Sequence, residues 1–308
     1  MVNVMRSVPQ KFSKTIIEIH QDAGLRWLQE LPSLIKRCEE RWLLRVDAPF
    51  AALSYNYVAP AWRADGTPVV LKLGVPNPEL SSEIEALRLY DGVGSVQLLD
   101  ADAQQGMLLL ERLLPGTMLT DLTDDEQATS IAADVMRQLW RPVPANHAFP
   151  TIAKWSAGLY RLRQQFGGGT GPLPADLVEM AETFFEQLIC SMEEPVLLHG
   201  DLHHFNILSA QRQAWLAIDP KGLIGEPAYD IGAFLRNPYP QLLQIERADR
   251  LLARRVDQFA EELGLDHTRI LAWGISQAVL SACWSVEDHG HGWEYSIACA
   301  NWLRTLLR

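Results

Sequence analysis

The stretch from Pro195 to Asp219 constrains this chain more than any other. A short apolar run, Pro195-Val-Leu-Leu, stops abruptly at His199-Gly200-Asp201, and Asn206 follows five residues after the aspartate. A second apolar run, Ala214-Trp-Leu-Ala-Ile218, ends in Asp219-Pro220. Short apolar runs bounded by polar residues and glycine read as buried strands. The two strands are expected to form a hairpin that brings Asn206 and Asp219 to the same end. Phosphoryl transfer needs such a set: one carboxylate to orient an acceptor hydroxyl and take its proton, with an amide oxygen and a second carboxylate to hold magnesium against phosphates. Asp201 fits the first role, Asn206 and Asp219 the second. The structural alternative is that His199 and Asp201 only cap a turn.

The rest of the chain changes character near residue 115. Residues 15–45 read as a helix interrupted by Pro32, with Leu25, Leu28, Leu31, Leu34 and Ile35 at helical spacing. From about residue 50 to Leu73 the pattern is that of short strands around an Asp65-Gly66 turn. Gly74 to Leu80, with two prolines, reads as a loop, and the pair Ser82 and Glu85 forms a capping box that starts a helix at Ser82. That helix ends at Asp91-Gly92-Val93-Gly94. Two further strands are expected at Ser95–Leu99 and Met107–Leu110, and beyond Pro115-Gly116 the chain is mostly helical. At 308 residues it is long enough for two lobes, and 48% hydrophobic residues supply a real core. The run Gly167–Gly171 lacks the preceding strand and following helix of a phosphate loop and reads as a flexible connection.

The catalytic stretch resembles the H-x-D-x-x-x-x-N loop of protein kinases, followed by a metal-binding aspartate. With His-Gly-Asp, and Ile-Asp-Pro in place of Asp-Phe-Gly, it is similar to the aminoglycoside phosphotransferase superfamily. The resemblance extends along the chain. Trp27-Leu28-x-x-Leu31-Pro32, Trp42-x-Leu44, Gly66-x-x-Val69-Val70-Leu71-Lys72-Leu73 and Ala282-Cys283-Trp284-Ser285-Val286-Glu287-Asp288 look like the streptomycin 6-phosphotransferase and hydroxyurea phosphotransferase branch. It implies an α+β, protein-kinase-like bilobal fold: a smaller β-rich nucleotide-binding lobe, residues 1–113, and a larger helical lobe, 114–308, with the catalytic loop and acceptor pocket. It implies ATP and Mg2+ as cofactors. By the same resemblance Lys72 pairs with the α- and β-phosphates, Glu83 rather than Glu85 holds that lysine, Ser54 belongs to the loop over the nucleotide, and the adenine meets backbone from Glu111 to Leu113. The family histidine, here His199, is a packing and hydrogen-bonding residue. Asp230, in Gly225-Glu-Pro-Ala-Tyr-Asp230, is structural support for the catalytic loop, and Pro238 ends the helix that contains it.

The acceptor implied is a small, cationic hydroxyl compound. Streptomycin carries guanidinium groups, which call for carboxylates. Glu287, Asp288 and Glu294 cluster near the carboxyl terminus, beside Trp284 and Trp293, which can stack on a guanidinium or sugar face. A solvated helix end is the competing reading of the same residues. The formal charge of −11 argues against nucleic acid or an anionic membrane as partner, and no protein partner is implied. His199, His203 and His204 lie within six residues, yet Cys and His partners at zinc spacing are missing. Cys38, Cys190, Cys283 and Cys299 are far apart and read as buried, reduced thiols of a cytoplasmic protein. The opening MVNVMRSVPQKFSK lacks the apolar core of a secretory leader. Two other readings stay open: a kinase of a choline, homoserine, fructosamine or macrolide-type alcohol, and a non-catalytic kinase-like module that binds nucleotide.

Overall fold

The computed structural model describes residues 8–307; half of the opening segment read for a leader, residues 1–7, lies outside them. The chain divides into two compact units, Met1–Leu114 and Pro115–Arg308.

The first unit opens with helix α1 (Gln10–Trp42), followed by strands β1 (Leu44–Val46), β2 (Tyr57–Arg63) and β3 (Pro68–Leu73), helix α2 (Pro78–Tyr90), and strands β4 (Leu98–Asp102) and β5 (Met107–Glu111). The strands form one antiparallel sheet in the order β1-β2-β3-β5-β4. One stripe of α1, including Phe12, Ile16, Trp27, Leu31, Leu34 and Cys38, is buried in one core with Tyr57, Ala59, Val69, Leu71 and Leu73 of the sheet. The break in α1 is not at Pro32, which the helix accommodates, but at Gln21, whose φ of 49° and ψ of −128° are non-helical. Gly24 then passes so close to the Ile16 carbonyl that a Cβ there would sit 2.4 Å from its oxygen. Leu25 is exposed, so Trp27 takes its place on the inner face.

Helix α2 begins four residues earlier than the capping box predicts. Asn77 is its cap, accepting from the Leu80 N–H at 2.9 Å, and Pro78 takes the first helical position, where its missing N–H costs nothing. Glu85 pairs instead with Arg88 on the exposed face. Strand β4 is displaced three residues from the expected Ser95–Leu99, because the turn before Met107 sets its register, Asp102 opposite Met107. Its aspartates suit a sheet edge: Asp100 accepts from Trp42 Nε1 at 2.6 Å and Asp102 from Arg41 at 3.0 Å.

The second unit contains β6 (Pro115–Met118), α3 (Asp125–Leu139), β7 (Arg141–Pro142), α4 (Ile152–Gln165), α5 (Ala175–Cys190), β8 (Val196–Leu198), β9 (Ile207–Ala210), β10 (Trp215–Ala217), β11 (Leu223–Gly225), α6 (Pro227–Leu235), α7 (Ala248–Leu263), α8 (His267–His289) and α9 (Glu294–Arg304). The Gly167–Gly171 run connects α4 to α5. Helix α8 is the centre of this unit, buried on most of its circumference from Ile270 to Cys283 and packed against α5, α6 and α9. Two small antiparallel sheets, β10-β9-β6 and β11-β8-β7, are embedded among the helices. The strand pairing corrects the expected hairpin. The run before His199, β8, pairs with β11 and β7, whereas Trp215–Ala217 pairs with the strand that begins just after Asn206. Three of the cysteines are buried, but Cys190, at the end of α5, is exposed.

Candidate active site

The loop after β8 is built around a glycine and a buried carboxylate. Gly200 has a φ of +86°, which disfavours any residue with a Cβ. A Cβ at Gly200 would also lie 3.2 Å from Leu223 and Lys221 and 3.3 Å from the Trp155 ring. Asp230 of α6 holds this bend by its backbone, accepting from the His199 N–H at 3.0 Å and the Gly200 N–H at 2.7 Å. The indole of Trp140 adds a third donor at 3.2 Å. Asp230 is fully buried, and burial pushes its carboxyl up to about 6 against the pull of those donors.

His199 is also fully buried, and its two ring nitrogens are both engaged. Nδ1 accepts from the Asp201 N–H at 3.2 Å, so Nε2 carries the proton and donates to the Ile218 carbonyl at 2.8 Å. Burial lowers its pKa to about 4, which keeps the ring neutral. The three clustered histidines diverge. His204 stacks on Phe234 and meets Arg255, while His203 places Nε2 3.7 Å from the Asp201 carboxylate.

Asp201 is thus set by its backbone, with its carboxylate about one-third exposed. Its carbonyl accepts from Asn206 Nδ2 at 3.0 Å, which commits the amino side of that amide to the loop and leaves Oδ1, the atom a cation takes. The β9–β10 hairpin brings Asn206 and Asp219 together: Ala217 lies opposite Ile207, and the Ile218 N–H donates to the Asn206 carbonyl at 2.9 Å. Asp219 follows with a φ of 59°, a conformation few non-glycine residues adopt. An amide oxygen and one carboxylate at adjacent strand ends suit magnesium, which takes only one or two protein oxygens when phosphates complete its shell.

In the first unit Lys72 lies on β3, between β2 and β5, with Val58 and Leu108 as its cross-strand partners. Its Nζ meets Glu83 Oε1 of α2 at 2.6 Å, and both side chains are buried, 2% and 8% exposed. Ser54 is exposed on the bend before β2, where Asn56 packs its amide against Gly74. Glu111 ends β5, its backbone and carboxylate bonded to Gln97, and Leu113 follows near the end of the unit.

The expected acceptor residues are already partnered. Glu287 makes a two-pronged pair with Arg161 of α4, at 2.7 and 2.9 Å. Asp288 is exposed near the end of α8, and Trp293 and Glu294 stand at the start of α9. Trp284 packs edge-on against Trp155 of α4, ring centres 5.3 Å apart. The sequence reading missed Trp155 and Arg161. They lie 126 or more residues from their partners, too far for local spacing to register.

A β-rich unit with a buried lysine–glutamate pair, and a helical unit with this loop, define a protein-kinase-like fold. Solved structures agree: the choline kinase LicA from Streptococcus pneumoniae matches with a TM-score of 0.61 at 15% identity, covering 90% of this chain and 98% of that one. A thermostable aminoglycoside phosphotransferase in ternary complex with ADP and hygromycin B matches at 0.58 and 11% identity, covering 88% and 96%. The chain belongs to the aminoglycoside/hydroxyurea antibiotic resistance kinase family, whose model matches residues 41–289. It is 31% identical to streptomycin 6-kinase of Streptomyces glaucescens over 91% of each chain. It is 33% identical to hydroxyurea phosphotransferase of Kitasatospora aureofaciens over 93% of this chain and 82% of that one. Among the described residues, no helix is long and apolar enough to cross a membrane.

Proposed function

We propose that this chain transfers the γ-phosphoryl group of ATP to a hydroxyl of a small antibiotic-like molecule, streptomycin or hydroxyurea by similarity to its relatives. The observation that carries the reading is Asp201: a partly exposed carboxylate on a loop whose backbone is locked by Asp230, with Asn206 and Asp219 on the adjoining hairpin. Asp201 orients the acceptor hydroxyl and takes its proton as the new O–P bond forms and the bond to ADP breaks. The transfer is direct and in line, with no phospho-enzyme. Asn206 and Asp219 hold Mg2+, which supplies neutralisation of charge on the phosphates. Lys72, fixed by Glu83, positions the α- and β-phosphates, with Ser54 and the Glu111–Leu113 backbone on the nucleotide. The reaction belongs in the cytoplasm, where ATP is available and free thiols such as that of Cys190 stay reduced.

Trp284 and Asp288 are the acceptor contacts for streptomycin. The Arg161–Glu287 pair leaves Glu287 unable to serve streptomycin as it stands, whereas hydroxyurea is neutral and needs no carboxylate. The test is ADP release from MgATP with streptomycin, hydroxyurea, a 2-deoxystreptamine aminoglycoside, or no acceptor. Stimulation by streptomycin or hydroxyurea alone supports the reading; stimulation by neither overturns the acceptor assignment.

A further inference from the structure

The loop from His199 to Asn206 is held at two points. At the front, Asp230 of α6 grips the His199 and Gly200 N–H groups. At the back, a single 3-10 turn, His204–Asn206, delivers Asn206, whose N–H closes onto the His203 carbonyl at 2.8 Å. His204 opens that turn and is buried, its ring stacked on Phe234 of α6 with centres 3.8 Å apart. Its Nδ1 has no partner. Among the described residues the ring therefore has one hydrogen bond, between its Nε2 and Arg255 Nη2 of α7 at 3.3 Å. A guanidinium only donates, so Nε2 accepts and the ring proton sits on Nδ1.

That bond is long, and it constrains the turn because the arginine itself is fixed. Arg255 is 1% exposed, and each of its three guanidinium nitrogens is engaged. Nε and Nη2 donate to the two oxygens of Asp125, the first residue of α3, which also meets Arg254. Nη1 donates to the Asn237 carbonyl at 2.7 Å and reaches that of Phe234 at 3.4 Å. One buried, planar fork thus joins the start of α3, the carboxyl end of α6 and the turn that delivers Asn206. Helix α6 supports the loop from both its ends, directly through Asp230 in its first turn and by way of Arg255 at its last.

We propose that Arg255 is a positioning residue for the metal: through His204 it fixes the turn that aims Asn206 Oδ1, and so sets the affinity for magnesium. This rests on the kinase reading above, which gives Asn206 its role. Arg255 is too deeply buried to touch nucleotide, metal or acceptor, so it acts only through the side chain it holds. The two grips then divide the work. Asp230 places the proton acceptor, and Arg255 places the amide oxygen that faces the cation.

The probe is Mn2+, titrated into the protein with saturating ADP and followed by the electron paramagnetic resonance of the free ion. His204→Phe keeps a ring on Phe234 and removes the acceptor; His204→Gln offers Arg255 an oxygen in its place. His204→Phe is expected to weaken Mn2+ binding about tenfold, and His204→Gln to recover most of that loss. ADP affinity measured without metal should be the same in all three proteins. In turnover, His204→Phe should need correspondingly more Mg2+ for half-maximal rate. Equal Mn2+ affinity in the wild type and His204→Phe overturns the proposal. So does a His204→Gln as weak as His204→Phe, because the ring would then only fill space. If His204→Phe does not fold, Arg255→Lys replaces it, keeping the charge beside Asp125 and losing the fork; wild-type Mn2+ affinity there overturns the proposal equally. A wild type that binds ADP but no Mn2+ sinks the metal assignment of the kinase reading, whereas unaltered variants beside a wild type that binds Mn2+ sink this inference alone.

Discussion

In the first unit the cation proposed to meet the phosphates is held by another side chain, Lys72 by Glu83, in a buried pair between a strand and a helix. In the second unit the carboxylate proposed as proton acceptor, Asp201, has no lysine or arginine paired with it among the described residues, and the His203 ring stands 3.7 Å away. Asp201 is placed by main chain, through the two N–H groups of His199 and Gly200 that Asp230 grips from a separate helix. The first arrangement allows a lysine to present its charge without wandering, at the cost of burying an ion pair. The second leaves the Asp201 carboxylate without a lysine or arginine beside it, as the proposed proton acceptor would require, and transfers the stabilising burden to a remote buried acid.

This contrast is broken most directly at Asp201. Asp201→Ala removes no support from the loop, so it is expected to fold as the wild type and bind MgATP, yet lose about 10³-fold in kcat. Near-native turnover in a steady-state assay would show that the backbone holds a residue of no catalytic consequence. Next comes Glu83→Gln, which takes the counter-charge from a buried lysine. A loss of about 3 kcal/mol in denaturant unfolding is expected, with a clear rise in KM for MgATP. If stability and KM both stay put, side-chain holding is not what the first unit relies on.

The pH dependence sharpens the second half of the comparison. Asp230 ionises near pH 4 in the unfolded chain and at about 6 when folded. Between those values the folded state binds the extra proton, so this group's contribution favours folding most below pH 4 and is lost as pH rises through 6. Asp230→Asn should flatten that part of the stability profile in thermal melts taken from pH 4 to 7, and an unchanged slope would assign it elsewhere. The smallest effect is expected from Glu287→Gln. Its pair with Arg161 is close to half-exposed, so the change costs at most about 1 kcal/mol. A larger loss of stability would place that pair with the buried ones.

What local spacing can express was legible before the fold was known. The intervals from His199 to Asp201, Asn206 and Asp219 are those of one loop and one hairpin, and Lys72 and Glu83 are eleven residues apart. These groups lie close together in sequence, so a motif carries much of their geometry. Glu83 follows from resemblance, however, and the grip of Asp230 on the His199–Gly200 bend comes from a separate helix. The start of α2 was misread because two signals competed, and proline at the first position with asparagine before it outweighed Ser82 and Glu85. The pairing of β8 with β11, and not with β10, was illegible because four short apolar strands sit within thirty residues and any two of them satisfy the same pattern. The partner of Glu287 is a fact of tertiary packing between helices far apart in the chain.

The β9–β10 hairpin has one more consequence. The separation of Asn206 and Asp219 is determined by ladder bonds at the base of the hairpin, while the connection through Gln211, Arg212 and Gln213 lies beyond them, with Gln213 donating to Gln138 of α3 at 3.0 Å. Lengthening a surface tether changes loop-closure entropy slowly, by about 0.6 kcal/mol per doubling. The segment between Ala210 and Ala214 is therefore a natural insertion point. Reporter peptides or affinity tags can be spliced there while Asn206 and Asp219 keep their spacing.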